Sequence, residues 1–173
     1  IFAKEPKTGL AAPTIRHSQN NQLFYGLEGF FDWRFALAKH LNLRKLPKKA
    51  IRPAQFVTFA CVLIKTEVFK KIGFLDEGYF MYLEDVDCCL RARQAGYKIF
   101  LLPSVVVDHA TSSSFKRATD KLSISFKSQI RFINKWLPFP KNIIPLIYAL
   151  FFYPYLYFFW TYFDFKRWLV KVK

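Results

Sequence analysis

Apolar and polar residues follow two different periods in the first part of the chain. Residues 10–15 form a short apolar stretch with a proline near its end, typical of one strand and the turn after it. Residues 27–43 place apolar side chains three and four positions apart, which predicts a helix. Residues 56–64, FVTFACVLI, form a continuous β-prone run that is long enough for a buried strand.

Shorter elements follow in regular alternation. Residues 66–72 form a helix candidate that stops at Gly73, and a second helix is predicted over residues 84–95, before Gly96. Residues 99–102 and 105–107 are predicted as two short strands on either side of a proline. Alternating strands and helices predict an α/β fold class, with a sheet covered by helices.

The pattern changes after residue 115. Residues 116–136 form a basic helix candidate, and residues 143–163 contain only Thr161 as a clearly polar side chain. As one helix, the second run would measure about 31 Å, enough to cross a bilayer. Its prolines, its aromatic residues and the basic residues on both flanks instead favour a broken helix or helical hairpin in the membrane interface. A membrane-spanning helix is the alternative.

The charge supports a membrane surface as a partner. The net charge is +15, and residues 110–173 contain 11 Lys and Arg against 2 Asp and Glu. Such an excess beside an aromatic apolar segment is typical of proteins on anionic membranes. No nucleic-acid-binding motif accompanies it, so nucleic acid is not expected as a partner. The cysteines (Cys61, Cys88 and Cys89) are expected to be small apolar residues in a reducing compartment, since their odd number and spacing argue against a disulfide framework.

Three carboxylates cluster at the predicted start of the second helix: Glu84, Asp85 and Asp87. Acidic residues collect at helix starts for capping and for the helix dipole, which is a purely structural explanation. Asp87 fits that explanation, because Arg91 lies four residues later and can pair with it. On the residues alone the structural explanation is favoured for the whole cluster, and a general base among these carboxylates is the alternative.

Residues 73–109 read GFLDEGYFMYLEDVDCCLRARQAGYKIFLLPSVVVDH. This segment resembles the C-terminal half of the catalytic domain in glycosyltransferase family 2, the GT-A-type sugar transferases, and is most similar to its rhamnosyltransferase-like members. The resemblance implies a C-terminal part of a GT-A fold over residues 1–115, followed by a basic helix and a membrane-associated aromatic tail over residues 116–173. The nucleotide-binding half, with its metal-chelating Asp-x-Asp, is then expected outside this chain, which is expected to be an inactive fragment alone.

The resemblance also implies roles for individual residues. Asp85 would be the base of an inverting transfer, Glu84 and Tyr82 would contact substrate, and His109 would bind a divalent cation, Mg²⁺ or Mn²⁺, or the diphosphate that holds it. Ser113 and Ser114 would donate to phosphate oxygens.

The expected partners are a nucleotide-diphospho-sugar donor and a lipid-linked or other glycan acceptor, at the cytoplasmic face of a membrane. The expected process is polysaccharide or cell-wall synthesis. Phe59 and Phe74 stand where the family tends to have glycine, which leaves the donor sugar open. The alternative function is a non-catalytic membrane-binding or partner-binding module with a transferase-like core.

Overall fold

The computed structural model describes residues 1–19, 22–46, 50–110 and 118–172, which form two compact units. Unit 1 comprises Ile1–Asp32, Ala38–Glu77 and Leu83–Thr111. Unit 2 comprises Trp33–Leu37, Gly78–Tyr82 and Ser112–Lys173. Unit 1 contains a mixed sheet with helices, which confirms the predicted α/β class.

The sheet of unit 1 is built around two long central strands. Its six strands are β1 (Thr8–Gln19), β2 (Gln22–Asp32), β3 (Leu37–Leu43), β4 (Arg52–Pro53), β5 (Leu63–Ile64) and β6 (Lys98–Asp108). The order is β3-β2-β1-β6-β4, and β5 pairs with β1. The central pair, β1 and β6, is parallel, whereas β2 and β5 run antiparallel to β1. Both central strands therefore have a hydrogen-bonded neighbouring strand on each side.

Four helices complete the fold: α1 (Thr66–Ile72) and α2 (Glu84–Gln94) in unit 1, and α3 (Ala118–Trp136) and α4 (Ile143–Val172) in unit 2. The predicted short helix and its stop are confirmed at α1. Gly73 follows it with φ 78° and donates its N–H to the Phe69 carbonyl at 2.9 Å. A residue without a side chain adopts this left-handed φ at little cost, so the helix ends there.

The helix predicted over residues 27–43 was wrong, because the structure has β2 and β3 there. Leu27, Gly29 and Phe31 are buried at every second position, the period of a strand with one covered face. Gly29 also lets the buried Phe56 ring lie directly on the strand, where a Cβ would overlap the ring. The three-and-four spacing in this segment was produced by aromatic residues on both faces of a strand.

The buried strand predicted over residues 56–64 was mostly wrong. Only Leu63–Ile64 forms a strand, and Phe56 makes a single bridge to Gly29. On the same edge of β1, β2 pairs with Ile15–Gln19 and β5 pairs with Leu10 and Ala11. Phe56 and Val57 are nevertheless 1% exposed, so the apolar run is used for core packing rather than for a ladder.

The two strands predicted around Pro103 are one strand, β6. Its pairing with β1 shifts register at this point, from Pro13 opposite Leu102 to Thr14 opposite Val106. The Thr14 hydroxyl donates to the Pro103 carbonyl at 3.2 Å. Pro103 therefore lies at an irregularity within β6, and the strand continues past it.

Helix α2 packs its apolar side into the core of unit 1. The buried side chains of α2 are Val86, Asp87, Cys88, Cys89 and Ala92, and those of the central strands include Leu10, Ala11, Ala12, Ile15, Ile99 and Leu101. Cys88 and Cys89 are free and fully buried, as expected of small core residues. Burial raises the pKa of the Cys88 thiol to about 11, so it stays protonated at neutral pH.

Unit 2 is a helical unit in which α3 binds two short segments from earlier in the chain. The Gln129 amide donates to the Phe35 carbonyl at 2.7 Å, and the Ser128 hydroxyl donates to the Met81 carbonyl at 2.6 Å. Its buried apolar residues include Ala36, Phe132, Ile133, Leu137 and Ala149.

Helix α4 is continuous over 30 residues with Pro154 inside it, so the predicted break was wrong. A proline removes one backbone hydrogen bond, and the turns on either side keep theirs. Residues Ile143–Tyr162 have a mean hydropathy of 1.6, and by length and composition they could cross a membrane. Whether the helix spans the membrane or lies in the interface stays a prediction.

A buried ion pair fixes the start of α2 against the end of α1. Arg91 Nε donates to Asp87 Oδ2 at 2.9 Å, as the spacing of four predicted, and the Asp87 side chain is 0% exposed. The remaining guanidinium N–H groups donate to the carbonyls of Ile72 at 2.8 Å and Phe74 at 3.0 Å. Arg91 therefore joins the Asp87 carboxylate to backbone carbonyls at the end of α1 and just after it.

We predict that Asp87→Ala lowers the free energy of unfolding by about 3–5 kcal/mol, because it leaves a mostly buried guanidinium without its carboxylate. Urea denaturation in detergent measures this change. The control is Asp108→Ala, which breaks the exposed pair with Arg16 and should leave the midpoint almost unchanged. If Asp87→Ala changed the midpoint as little as Asp108→Ala is expected to, the Asp87–Arg91 pair would not be a stabilising element.

Candidate active site

The acidic cluster lies in the first turn of α2, after an unusual backbone turn. Tyr82 and Leu83 have φ values of 69° and 67°, the left-handed region that residues with side chains rarely adopt. The Leu83 carbonyl accepts the first hydrogen bond of the helix, from the Asp87 N–H at 2.9 Å. Left-handed residues other than glycine cost on the order of 1–3 kcal/mol each and occur often at functional sites. The strain thus lies directly before Glu84 and Asp85.

Asp85 is the second residue of α2 and is half-buried. Its Oδ1 accepts a hydrogen bond from the Val86 N–H at 2.8 Å. Burial raises the pKa of the Asp85 carboxyl to about 6, although hydrogen bonds from the backbone N–H groups of Val86, Asp85 and Phe59 favour the charged form. A carboxyl with this pKa is ionised at neutral pH and still accepts a proton readily, as a general base must.

Glu84 stands beside Asp85 in a different environment. Its Oε2 atom is buried and has no hydrogen-bond partner among the residues that the structure describes. Burial raises the pKa of the Glu84 carboxyl, and the neighbouring charge of Asp85 raises it further. Buried polar atoms are normally satisfied, so this oxygen is a candidate acceptor for a substrate hydroxyl.

Tyr82 precedes the acidic pair and belongs to unit 2. The Lys121 ammonium of α3 lies 5.9 Å from the centre of the Tyr82 ring, within the range of a cation–π contact. A positive charge is thereby held at the residue that the sequence predicted as a substrate contact.

His109 follows the last residue of β6 and is exposed. Its N–H donates to the Arg16 carbonyl at 2.9 Å, and the neighbouring Asp108 carboxylate is bound by the Arg16 guanidinium, which lowers the pKa of Asp108. His109 and the start of α2 both belong to unit 1.

The residues expected to bind a divalent cation fit it only in part. In residues 1–19, 22–46, 50–110 and 118–172, no group of three His, Cys, Asp or Glu side chains could hold a metal. The exposed imidazole of His109 fits a single ligand position, and phosphate oxygens of a bound donor would have to supply others. Ser113 and Ser114, predicted to contact phosphate, lie outside the described residues.

Sequence reasoning missed the contribution of Phe59 to this site. Its backbone lowers the pKa of the Asp85 carboxyl, although 26 positions separate the two residues. Phe59 is one of the two positions where the resemblance led us to expect glycine. A backbone contact from a distant loop leaves no signal in side-chain pattern, because any residue other than proline supplies the same N–H.

Comparisons with known proteins concern the family and the fold of the chain. The family described as Glycosyltransferase like family 2 matches residues 1–131. The N-acetylglucosaminyl-diphospho-decaprenol L-rhamnosyltransferase of Mycobacterium tuberculosis is 34% identical over 83 residues, 47% of this chain and 27% of that protein. Rhamnosyltransferase WbbL of Escherichia coli is 33% identical over 72 residues, 40% of this chain and 27% of that protein.

A third relative is the low-salt glycan biosynthesis hexosyltransferase Agl10 of Haloferax volcanii, 29% identical over 103 residues, 58% of this chain and 34% of that protein. The chain thus spans between 27% and 34% of the length of these three relatives.

Among solved structures, that of GalNAc-T7 with UDP, GalNAc and Mn²⁺ matches with a TM-score of 0.55 and 18% identity, over 78% of this chain and 27% of that chain. This likeness supports the fold. With the family match over residues 1–131, it shows that the chain belongs to the glycosyltransferase-like family 2 and has the α/β fold of the GT-A sugar transferases.

Proposed function

We propose that the protein is an inverting glycosyltransferase that moves a hexose, such as rhamnose, from a nucleotide-diphospho-sugar to a lipid-linked glycan acceptor. The observation that carries this proposal is the half-buried Asp85, whose pKa is raised to about 6 at the strained start of α2. Two relatives are named as rhamnosyltransferases and one as a hexosyltransferase, which supports the donor class.

In the proposed reaction, Asp85 acts as the only general base. An acceptor hydroxyl attacks the anomeric carbon of the donor sugar while the Asp85 carboxylate takes the hydroxyl proton. A new carbon–oxygen bond forms as the bond to the diphosphate breaks, and its electron pair leaves with the nucleoside diphosphate. Attack from the face opposite the leaving group inverts the anomeric configuration. Asp85 then releases its proton to solvent, which its pKa of about 6 permits at neutral pH.

The neighbouring residues position the acceptor. Glu84 Oε2, which is buried, would accept a hydrogen bond from a second acceptor hydroxyl. Tyr82 would contact the acceptor sugar. Removal of either side chain should weaken acceptor binding more than donor binding.

His109 would bind the nucleotide-diphospho-sugar donor, through the divalent cation or the diphosphate. A divalent cation, Mg²⁺ or Mn²⁺, would neutralise charge that develops on the departing diphosphate. His109 supplies an exposed imidazole directly after β6. Ser113 and Ser114 follow in sequence and would donate to phosphate oxygens.

The apolar helix α4 of unit 2 supports a lipid-linked acceptor and a membrane location. Residues Ile143–Tyr162 are apolar and only 11% buried, so a membrane is the natural environment for this part of α4. We place the helix in the interface at the cytoplasmic face, because basic residues flank it on both sides in the sequence. The Mycobacterium tuberculosis relative is named for a diphospho-decaprenol acceptor, which supports a polyprenyl diphosphate sugar as the acceptor here.

We predict that, in the full-length enzyme with the expected nucleotide-binding half, Asp85→Asn lowers turnover by about two to four orders of magnitude, because an amide cannot take the hydroxyl proton. The substitution should leave donor binding intact. Transfer from a panel of nucleotide sugars to a polyprenyl diphosphate sugar measures turnover. Near-normal turnover of the variant would remove Asp85 from the mechanism. Absence of transfer by the unsubstituted enzyme with every donor would favour the alternative, a non-catalytic module.

Thermal stability provides the control for Asp85. Its folded-state pKa of about 6 lies above the ordinary value of 3.8, so its contribution to stability is full below pH 3.8 and is lost as pH rises through 6. Asp85→Asn should therefore melt at the same or a higher temperature than the unsubstituted protein at pH 7. A lower melting temperature would mean that the lost turnover reflects damage to the fold.

We predict that His109→Ala raises the concentration of Mg²⁺ or Mn²⁺ needed for half-maximal transfer by about tenfold or more, as loss of groups that support a metal does. The matched control is His17→Ala. It removes from β1 an imidazole that stacks on Phe24 of β2, and it should leave the cation requirement unchanged. An unchanged cation titration together with a lower melting temperature would make His109 a structural residue.

A further inference from the structure

An apolar groove lies between α3 and α4, within unit 2. It has a volume of about 270 Å³ and is lined mainly by Leu122 and Phe126 of α3 and by Tyr153, Pro154 and Phe158 of α4. Taking about 30 Å³ for a water molecule, this is the volume of roughly nine waters. The Phe126 and Tyr153 rings lie 5.3 Å apart and form one wall. Almost all the lining is apolar, so water is a poor occupant.

The groove opens on a surface that is itself strongly apolar. Phe151, Tyr155 and Phe158 of α4 have exposed fractions of 75%, 64% and 73%. An exposed aromatic face of this kind marks a membrane or a binding surface rather than a surface in water. A ligand that enters the groove would therefore come from the lipid phase.

One rim of the groove is polar and positive. Ser123 lines the groove, and Lys127 follows it four positions later, on the same side of α3. Both residues are exposed. The Ser123 hydroxyl already donates to the Thr119 carbonyl at 3.2 Å, so the Lys127 ammonium is the group suited to phosphate oxygens. The groove therefore combines an apolar interior with a rim for an anion.

We propose that this groove binds the isoprenoid chain of a polyprenyl diphosphate acceptor, with Lys127 at the diphosphate. This inference rests on the proposed function, because it concerns the acceptor of that reaction. A diphosphate has more negative charge than the phosphodiester of a phospholipid, so its attraction to the ammonium of Lys127 is stronger.

The experiment uses the chain in nanodiscs of phosphatidylcholine and phosphatidylglycerol, with a polyprenyl diphosphate that carries a photoreactive diazirine on its chain. We expect crosslinks to Phe126 or Tyr153 that unlabelled polyprenyl diphosphate competes away. Ser123→Trp, which fills the groove from an exposed position, should lower this labelling about tenfold, since it denies the chain its apolar contacts. The matched control, Asn134→Trp, also puts a tryptophan at an exposed position of α3 and should not lower it.

A second variant tests the rim without changing the groove. Lys127→Glu reverses an exposed charge and should reduce labelling by the diphosphate probe, with no effect on a matching uncharged polyprenol probe. Equal loss with both probes would contradict the assigned role of Lys127.

Three results would overturn the proposal. The first is labelling outside the groove, the second is equal labelling by a photoreactive phospholipid acyl chain, and the third is a change of oligomeric state with Ser123→Trp, which would make the groove a contact between copies of the chain. None of these results depends on turnover. An enzyme that transfers sugar but shows no labelled groove would retain the proposed function and lose this site.

Discussion

The buried pair between Asp87 and Arg91 is the interaction on which the candidate active site depends. It joins the first turn of α2 to the end of α1, because the same guanidinium also binds the carbonyls of Ile72 and Phe74. The left-handed residues Tyr82 and Leu83 lead directly into this first turn of α2. Asp85 then occupies a fixed, half-buried position that a frayed helix start would not provide.

Three carboxylates within four residues have three different environments. Asp87 is neutralised by a cation, Glu84 has a buried oxygen without a partner among the residues described, and Asp85 is bound only by backbone N–H groups. Burial raises the pKa values of Glu84 and Asp85. We therefore propose substrate roles for these two carboxyls and a structural role for Asp87.

Part of this arrangement could be predicted from sequence. The Asp87–Arg91 pair follows from a spacing of four on a helix, and the stop at Gly73 follows from local chemistry. Other features depend on distant partners. Aromatic residues on both faces of β2 produced a spacing typical of a helix. The segment is a strand because it pairs with β1 and packs against Phe56, which the local pattern does not reveal. The role of Asp85 came from the family resemblance, and its environment depends on a backbone amide 26 residues away.

The central claim is that the fold, by burying Asp85, prepares it to accept a proton near neutral pH. The most direct measurement is a ¹³C NMR titration of the Asp85 carboxyl carbon, with Asp85→Asn used to assign its signal. The account predicts a titration midpoint near pH 6, above the ordinary 3.8. A midpoint at or below 3.8 would show that Asp85 is an ordinary helix-start carboxylate and would contradict the account.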